Sequence, residues 1–248
     1  MKRTGVTIAA LLALLAFSGS ATFAANGFSK NGNPASAPFG QQLVPENAVT
    51  ISQSTSTTVT VGASVSCNGG APGFFHTDNS YYRAFTLTAF NPPLTDLQFM
   101  VQSVTIGVET ANDGGGVGQP ISVLIYDSSA NPPTNATLGS ALSTENVTVV
   151  DQVQTLLAVP LTTQPVLINA SDILAVEIFT PNGQTSGHSF FMGSNAGGQS
   201  GPGFIKSAPC GITDITHLAT IGFPNMHMVM QVSGNNQTPV ELTTFSVD

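Results

Sequence analysis

Residues 188–233 read HSFFMGSNAGGQSGPGFIKSAPCGITDITHLATIGFPNMHMVMQVS, and this stretch decides the fold class. Its end alternates between apolar and polar residues, with Met226, Met228, Met230 and Val232 as the apolar set. A period of two residues is typical of a strand that is buried on one side. A Gly-rich loop precedes the strand, so the stretch predicts the closing strands of a β domain.

Similar short segments recur upstream. They are rich in Val, Ile, Thr and aromatic residues and are bounded by Gly, Pro or Asn, and they cover residues 57–66, 81–88, 104–108, 121–127, 146–150, 156–161 and 172–180. A long helix would need an apolar period of 3.6 residues, which only a short turn near 215–219 approaches. The sequence therefore predicts an all-β fold, a jelly-roll-like antiparallel β-sandwich of about eight to ten strands.

The N-terminus resembles an export signal. Lys2 and Arg3 precede an apolar run at residues 8–17, and small residues follow as far as Ala24. This order is typical of a secretory signal peptide, and we predict cleavage after Ala24. No later stretch approaches the roughly 18 apolar residues of a membrane-spanning helix, so we expect no transmembrane segment in the mature chain.

Charge is scarce and one-sided. Charged residues make up 7% of the chain, against about a quarter in typical soluble domains. Thirteen acids against three bases in the mature chain (Lys30, Arg83 and Lys206) give a net charge of −10. Nucleic acids and anionic membranes are therefore disfavoured as partners, because both require a basic surface.

The chain has two cysteines, Cys67 and Cys210. In an exported chain two cysteines most simply form one disulfide, and two free thiols are the alternative.

The composition divides the chain into four parts. Residues 1–24 form the predicted signal peptide, and residues 25–55 a flexible leader with a short edge strand near 43–51. Residues 56–234 form the predicted sandwich, and 235–248 a linker and a C-terminal tail.

Two loops carry oxygen-bearing side chains of the kind that calcium prefers. Glu109, Asn112 and Asp113 precede a run of glycines, and Asp78 and Asn79 lie before a strand. Neither has the spacing of an EF-hand, so these residues predict either a structural calcium ion or Asx turns.

Carbohydrate sites on β-sandwiches usually stack sugar rings on aromatic side chains. The densest aromatic group consists of Phe74, Phe75, Tyr81 and Tyr82, and it is the predicted ligand-binding patch together with Arg83. Arg83 lies either inward, paired with an acid such as Asp78, or on an exposed face that contacts a ligand. The absence of tryptophan counts against a strong carbohydrate module.

No catalytic motif stands out. The chain lacks HExxH and GxSxG, so the sequence predicts neither a zinc site nor a serine nucleophile. The four histidines, at positions 76, 188, 217 and 227, either gather in one site or lie apart on loops and polar faces.

The phrases YYRAF, QPISVLIYD, SDILAVEIF, FFMGSNAGGQSGPGF and IGFPNMHMVMQVSG resemble a group of uncharacterised β-sandwich modules of exported bacterial proteins. The end, TPVELTTFSVD, is similar to the PVELTSF phrase near the C-terminal tails of type IX secretion proteins. The resemblance implies an accessory or surface module, and it supplies no catalytic residues.

The sequence thus predicts an exported, non-catalytic binding or structural surface module, whose partner is a glycan or a cell-surface polymer. An exported hydrolase on a β scaffold is the first alternative, and a filament subunit is the second. An enzyme is expected to gather His, Asp or Glu in one concave site, whereas a binding module would leave its histidines scattered.

Overall fold

The computed structural model describes residues 47–90, 94, 98–163 and 166–237. The predicted signal peptide, residues 25–46 of the predicted leader and residues 238–248 of the tail lie outside the described residues.

Fourteen strands are present in the described part of the chain. They are β1 (Asn47–Ser52), β2 (Asn79–Thr86), β3 (Gln98–Asn112), β4 (Gln119–Ser128), β5 (Ser143–Val149), β6 (Gln152–Pro160), β7 (Val166–Asn169), β8 (Ile173–Thr180), β9 (Ser189–Met192), β10 (Ser194–Asn195), β11 (Gly203–Ser207), β12 (Ile212–His217), β13 (His227–Met228) and β14 (Met230–Gln237). Three short 3-10 helices occupy Leu87–Ala89, Ala208–Cys210 and Leu218–Ile221.

These strands form two main antiparallel sheets. The first has the order β1-β14-β3-β6, and β7 and β9 also pair with β3. The second has the order β12-β11-β2-β8-β4-β5, and β10 and β13 form a separate pair. The predicted all-β sandwich is confirmed, and the strand count exceeds eight to ten because several strands in the Gly-rich regions have only two to five residues.

The core lies between the two sheets. Tyr81 and Phe85 of β2 are buried there with Val104 and Ile106 of β3. Met226, Met228, Met230 and Val232 all belong to this core, as predicted. The single closing strand predicted for residues 226–233 is wrong, because it is interrupted at Val229, which is also buried, and its two parts are β13 and β14. Alternation therefore indicates the core-facing side only where a strand is continuous.

The predicted strand at residues 57–66 is wrong, because this segment forms no strand pairing within the described part of the chain. Its backbone groups find other partners. Gly62 and Ser64 donate their N–H groups to the two carboxylate oxygens of Glu109, at 2.8 and 3.0 Å. Thr60 donates to the carbonyl of Ser194 at 2.9 Å. Buried backbone N–H groups need hydrogen-bond partners. Here the Glu109 side chain supplies two of the acceptors that a neighbouring strand would otherwise provide.

Two domain boundaries also differ from the sequence prediction. The edge strand expected near residues 43–51 is present as β1, which pairs with β14 at the edge of the first sheet. The sandwich therefore includes part of the predicted leader. At the other end β14 continues through Asn235 and Asn236 to Gln237, which pairs with Gln98, so the predicted linker starts inside a strand.

The disulfide between Cys67 and Cys210 is confirmed, with a Cα–Cα distance of 6.0 Å. It joins the loop before β2 to the 3-10 helix after β11. The alternative of two free thiols is therefore wrong.

Within the described residues, no helix has the length and apolar character needed to cross a membrane.

Candidate functional site

The second sheet carries a cleft on the face that points away from the core, with a volume of about 600 Å³. Strand alternation builds its floor, because Tyr81 of β2 points into the core and the next residue, Tyr82, points outward. Tyr82 lies opposite Glu177 of β8, and Glu177 lies opposite Leu124 of β4. These three side chains form one row across neighbouring strands.

The loop at residues 129–142, which joins β4 to β5, crosses over this face. Leu138 of the loop packs in a small apolar cluster with Tyr82 and Tyr126. Asn135 reaches β12, where its backbone N–H donates to Asp214 Oδ1 at 2.8 Å and its side chain donates to a neighbouring carbonyl. The bond from Asn135 is the main reason why the pKa of Asp214 is lowered. The loop thus forms one wall of the cleft.

Glu177 is the chemical centre of the floor. Tyr82 donates its hydroxyl to Glu177 Oε1 at 2.9 Å, and Tyr126 donates to Glu177 Oε2 at 2.6 Å. Burial raises the pKa of Tyr82 and of Tyr126, so both hydroxyls stay protonated and can donate at neutral pH. Glu177 is held in place from both sides.

The rest of the lining combines polar and apolar groups. It includes Asp78, Ser80, Ser122, Asn135, Thr144 and Lys206, with Leu124 and Phe179 as apolar members. Ammonium groups donate hydrogen bonds, carboxylates accept them, and hydroxyl and amide groups do both. Such a set matches a ligand with many hydroxyl groups and a few apolar C–H faces.

The structure divides the predicted aromatic patch. Phe74 and Phe75 lie on the loop before β2 and are 49% and 38% exposed, whereas Tyr81 is fully buried in the core. Tyr82 lies in the cleft, on the opposite side of β2 from Tyr81. Of this aromatic group, only Tyr82 lines the cleft. The four aromatic residues are close in the sequence, but they lie in three different environments: an exposed loop, the core and the cleft.

Arg83 is fully buried on the inner side of β2. Arg83 therefore lies inward, which was one of the two predicted alternatives. The predicted pairing with an acid such as Asp78 is wrong, because no acidic side chain of the described residues binds it. Its guanidinium donates to the carbonyls of Gly201 and Met228 at 2.7 and 2.6 Å, and to the side chains of Gln53 and Gln199, both at 3.1 Å. Burial lowers its pKa to about 10, so the side chain is charged at neutral pH.

Two of the predicted calcium residues, Asn112 and Asp113, accept backbone N–H groups with their side chains. Asp113 accepts N–H bonds from Gly115 at 2.9 Å, from Gly116 at 2.6 Å and from Gly118. Asn112 accepts from Gly114 at 2.8 Å. These bonds form the Asx turns of the alternative reading.

Glu109 and Asp78, which were also predicted as calcium residues, lie elsewhere. Glu109 binds the segment at 57–66 described above, and Asp78 lies in the cleft and accepts the N–H of Asn182 at 2.7 Å. Within the described ranges no three His, Cys, Asp or Glu residues are grouped as a metal site would require. A structural calcium ion stays a prediction of the sequence.

We expect Asp113→Asn to lower the midpoint of urea unfolding to the same extent with calcium and with excess chelator. Hydrogen bonds from three backbone N–H groups lower the pKa of Asp113 to about 2 from its usual 3.8, and the bond from Gly116 has the largest effect. A lowered carboxyl pKa adds stability that is complete above about pH 4 and disappears as the pH falls through 2. The difference between the variant and the wild type should therefore shrink in acid. Contrary evidence would be a wild-type midpoint that calcium raises and a variant midpoint that calcium leaves unchanged.

The histidines do not gather at the cleft. His76 is buried, and its Nδ1 lies 3.0 Å from the carbonyl oxygen of His188. Burial lowers the pKa of His76. His217 packs near Phe204, and His227 lies beside Gly198. Among the described residues the four histidines therefore do not form one site, although His76 and His188 are neighbours.

Sequence reasoning missed Glu177, Tyr126, Asn135 and Lys206 as site residues. One signal was available, because Glu177 is the only charged residue in the apolar strand β8. A charge on the outward side of such a strand indicates that something polar lies against it. Asn135 had no signal, since a loop's contact with a distant strand leaves no local pattern.

Comparison with known proteins gives no family. No family model matches the chain, and no curated protein matches it. A solved structure that resembles it contains the cysteine protease and lectin-like domains of Cwp84, a surface layer associated protein of Clostridium difficile. The TM-score is 0.45 with 10% sequence identity, over 67% of this chain and 34% of that chain. The present chain thus spans about a third of that protein's chain, and a likeness at this level bears on neither ligand nor activity.

Proposed function

We propose that this protein is an exported, non-catalytic binding module that holds a glycan in the cleft of the second sheet. The observation that carries the proposal is Glu177, a carboxylate oriented by two tyrosine hydroxyls on the floor of that cleft. Export rests on the predicted signal peptide, and the disulfide agrees with an oxidising compartment.

The chemistry of the lining supports a hydroxylated ligand. Ser80, Ser122, Asn135 and Thr144 offer neutral hydrogen-bonding groups, and Phe179 offers a ring against which a sugar C–H face can pack. A volume of about 600 Å³ accommodates a short stretch of an oligosaccharide. The net negative charge of the chain disfavours polyanionic ligands.

The cleft also gives the hydrolase alternative its specific support. Asp78 and Glu177 both line it, and glycosidases commonly use a pair of carboxylates. Each carboxylate already accepts a protein hydrogen bond, and no histidine lines the cleft. Incubating the protein with any oligosaccharide that it binds, followed by measurement of new reducing ends, separates the two functions. We expect no release.

Glycan binding is tested by blocking the cleft. We expect Ser122→Trp to weaken binding of the best oligosaccharide from a screened panel by about tenfold or more, or ~1.4 kcal/mol. Ser122 lines the cleft from β4, and an indole there would occupy the ligand's space. Titration calorimetry of the mature chain measures the effect.

Ser103→Trp is the matched control, because this half-buried serine lies on β3 in the other sheet. It should change the affinity less than about twofold. The proposal fails if no oligosaccharide binds, or if both variants bind as well as the wild type.

A further inference from the structure

Glu177 is a buried carboxylate whose described partners are uncharged. It is 7% exposed and receives its two hydrogen bonds from phenol groups. An ionised carboxylate that leaves water without a cationic partner raises the free energy of the folded state. A ligand that brings a positive charge to this position would remove that cost.

The protein itself has few cations to offer. Arg83 and Lys206 are the only arginine and lysine between residues 47 and 237. Arg83 points into the interior on the other side of β2, where neutral groups accept hydrogen bonds from both of its terminal nitrogens. β11, which carries Lys206, lies two strands away from β8 in the sheet, and Lys206 is offset from Glu177 by two residues along the strands. This offset corresponds to a distance of roughly 12 Å between the two Cα atoms.

Lys206 is also engaged at the far end of the cleft. The pKa of Asp214 is lowered mainly by the backbone N–H of Asn135 and less strongly by the charge of Lys206. Asp78 lines the same end of the cleft as Lys206, so that end carries charges of both signs, whereas Glu177 has no cationic partner among the described residues.

Glu177 keeps capacity for a ligand. An ionised carboxylate has about four acceptor positions, and the two tyrosine hydroxyls occupy one on each oxygen. An ammonium group makes a charge-assisted hydrogen bond at such a position, and this bond is roughly twice as strong as that of a neutral hydroxyl.

We propose that the glycan bound in the cleft carries a free amino group, as in an oligomer of a hexosamine that is not N-acetylated, and that Glu177 binds its ammonium. This inference rests on the proposed glycan-binding function and specifies the class of sugar. The ammonium lies at Glu177, and uncharged hydroxyl groups of the same chain extend toward Lys206.

The test compares three oligosaccharides of equal length by titration calorimetry of the mature chain. The three are a glucosamine oligomer, the corresponding N-acetylglucosamine oligomer and a glucose oligomer. We expect the glucosamine oligomer to bind at least about tenfold more tightly than the other two at a pH where its amines are charged. This preference should disappear when the pH rises and the amines become neutral.

Glu177→Gln keeps the shape of the side chain and removes the charge. We expect this variant to bind all three oligomers with affinities within about threefold of one another. Asp127→Asn is the matched control, because it removes an exposed charge from β4, outside the residues that line the cleft, and it should retain the preference.

The outcomes separate the two proposals. Equal binding of the three oligomers by the wild type, or a preference that Glu177→Gln retains, overturns the amino-sugar inference and leaves glycan binding intact. Absence of binding to every oligomer overturns both. Binding of a short lysine peptide as tightly as the glucosamine oligomer would also overturn the inference, because charge alone would then suffice without the sugar.

Discussion

Replacing Arg83 with alanine is expected to lower the free energy of unfolding by about 3–5 kcal/mol, the range for large buried truncations. The guanidinium joins groups from three parts of the chain: Gln53 after β1, Gly201 before β11 and Met228 of β13. Alanine would leave their oxygens buried without these donors and would create a cavity between the sheets. Urea unfolding followed by far-UV circular dichroism measures the change.

Arg83→Lys sharpens the test. Lysine keeps the positive charge but cannot direct donors to separated carbonyls as the planar guanidinium does, so more than half of the loss should persist. Lys206→Met is the matched control, since it removes the other base of the sandwich from a half-buried position, and it should cost less than about 1 kcal/mol. An alanine variant within 1 kcal/mol of the wild type would contradict the structural role of Arg83.

The double variant Cys67→Ser/Cys210→Ser is expected to lose about 4–5 kcal/mol of stability, following the chain-entropy estimate for a long loop. The disulfide closes a loop with a sequence separation of 143 residues, so it restricts most of the unfolded sandwich. Typical domains are stable by only 5–15 kcal/mol, so the loss is a large share of the total. The unfolding midpoint in urea, compared with that of the oxidised wild type, measures the change.

The same comparison after reduction provides the control for the disulfide. Cys210 is exposed, so a thiol reductant can reach the bond, and the reduced wild type should match the double variant. The double variant itself should not respond to the reductant. A loss below 1 kcal/mol, or a reduced wild type that keeps its full stability, would mean that the bond does not restrict the unfolded chain as expected.

Several features of the fold were predictable because they depend on local patterns. The apolar set Met226, Met228, Met230 and Val232 of the closing segment follows from alternation alone, and the structure buries all four side chains in the core. The segment at residues 57–66 has the same β-branched character and is not a strand. Its N–H groups bind Glu109, and no property of the segment itself reveals that partner.

The candidate site was predictable only in part. Tyr82 and Arg83 were both selected from their position in one aromatic segment, yet adjacent residues of a strand point to opposite sides. One lies in the cleft and the other between the sheets. Glu177 is 95 residues from Tyr82 in the chain, so their contact depends on the pairing of β2 with β8.

The sequence by itself determined the all-β class and the one pair of cysteines that could bond within the chain, and it indicated the apolar side of the closing segment. The physical reason is that strand alternation has a period of two residues and that two cysteines allow one pairing. The tertiary structure decided the strand order, the partners of Arg83 and the cleft around Glu177. These features depend on contacts between residues far apart in the chain, and a period of two residues contains no information about which strands become neighbours.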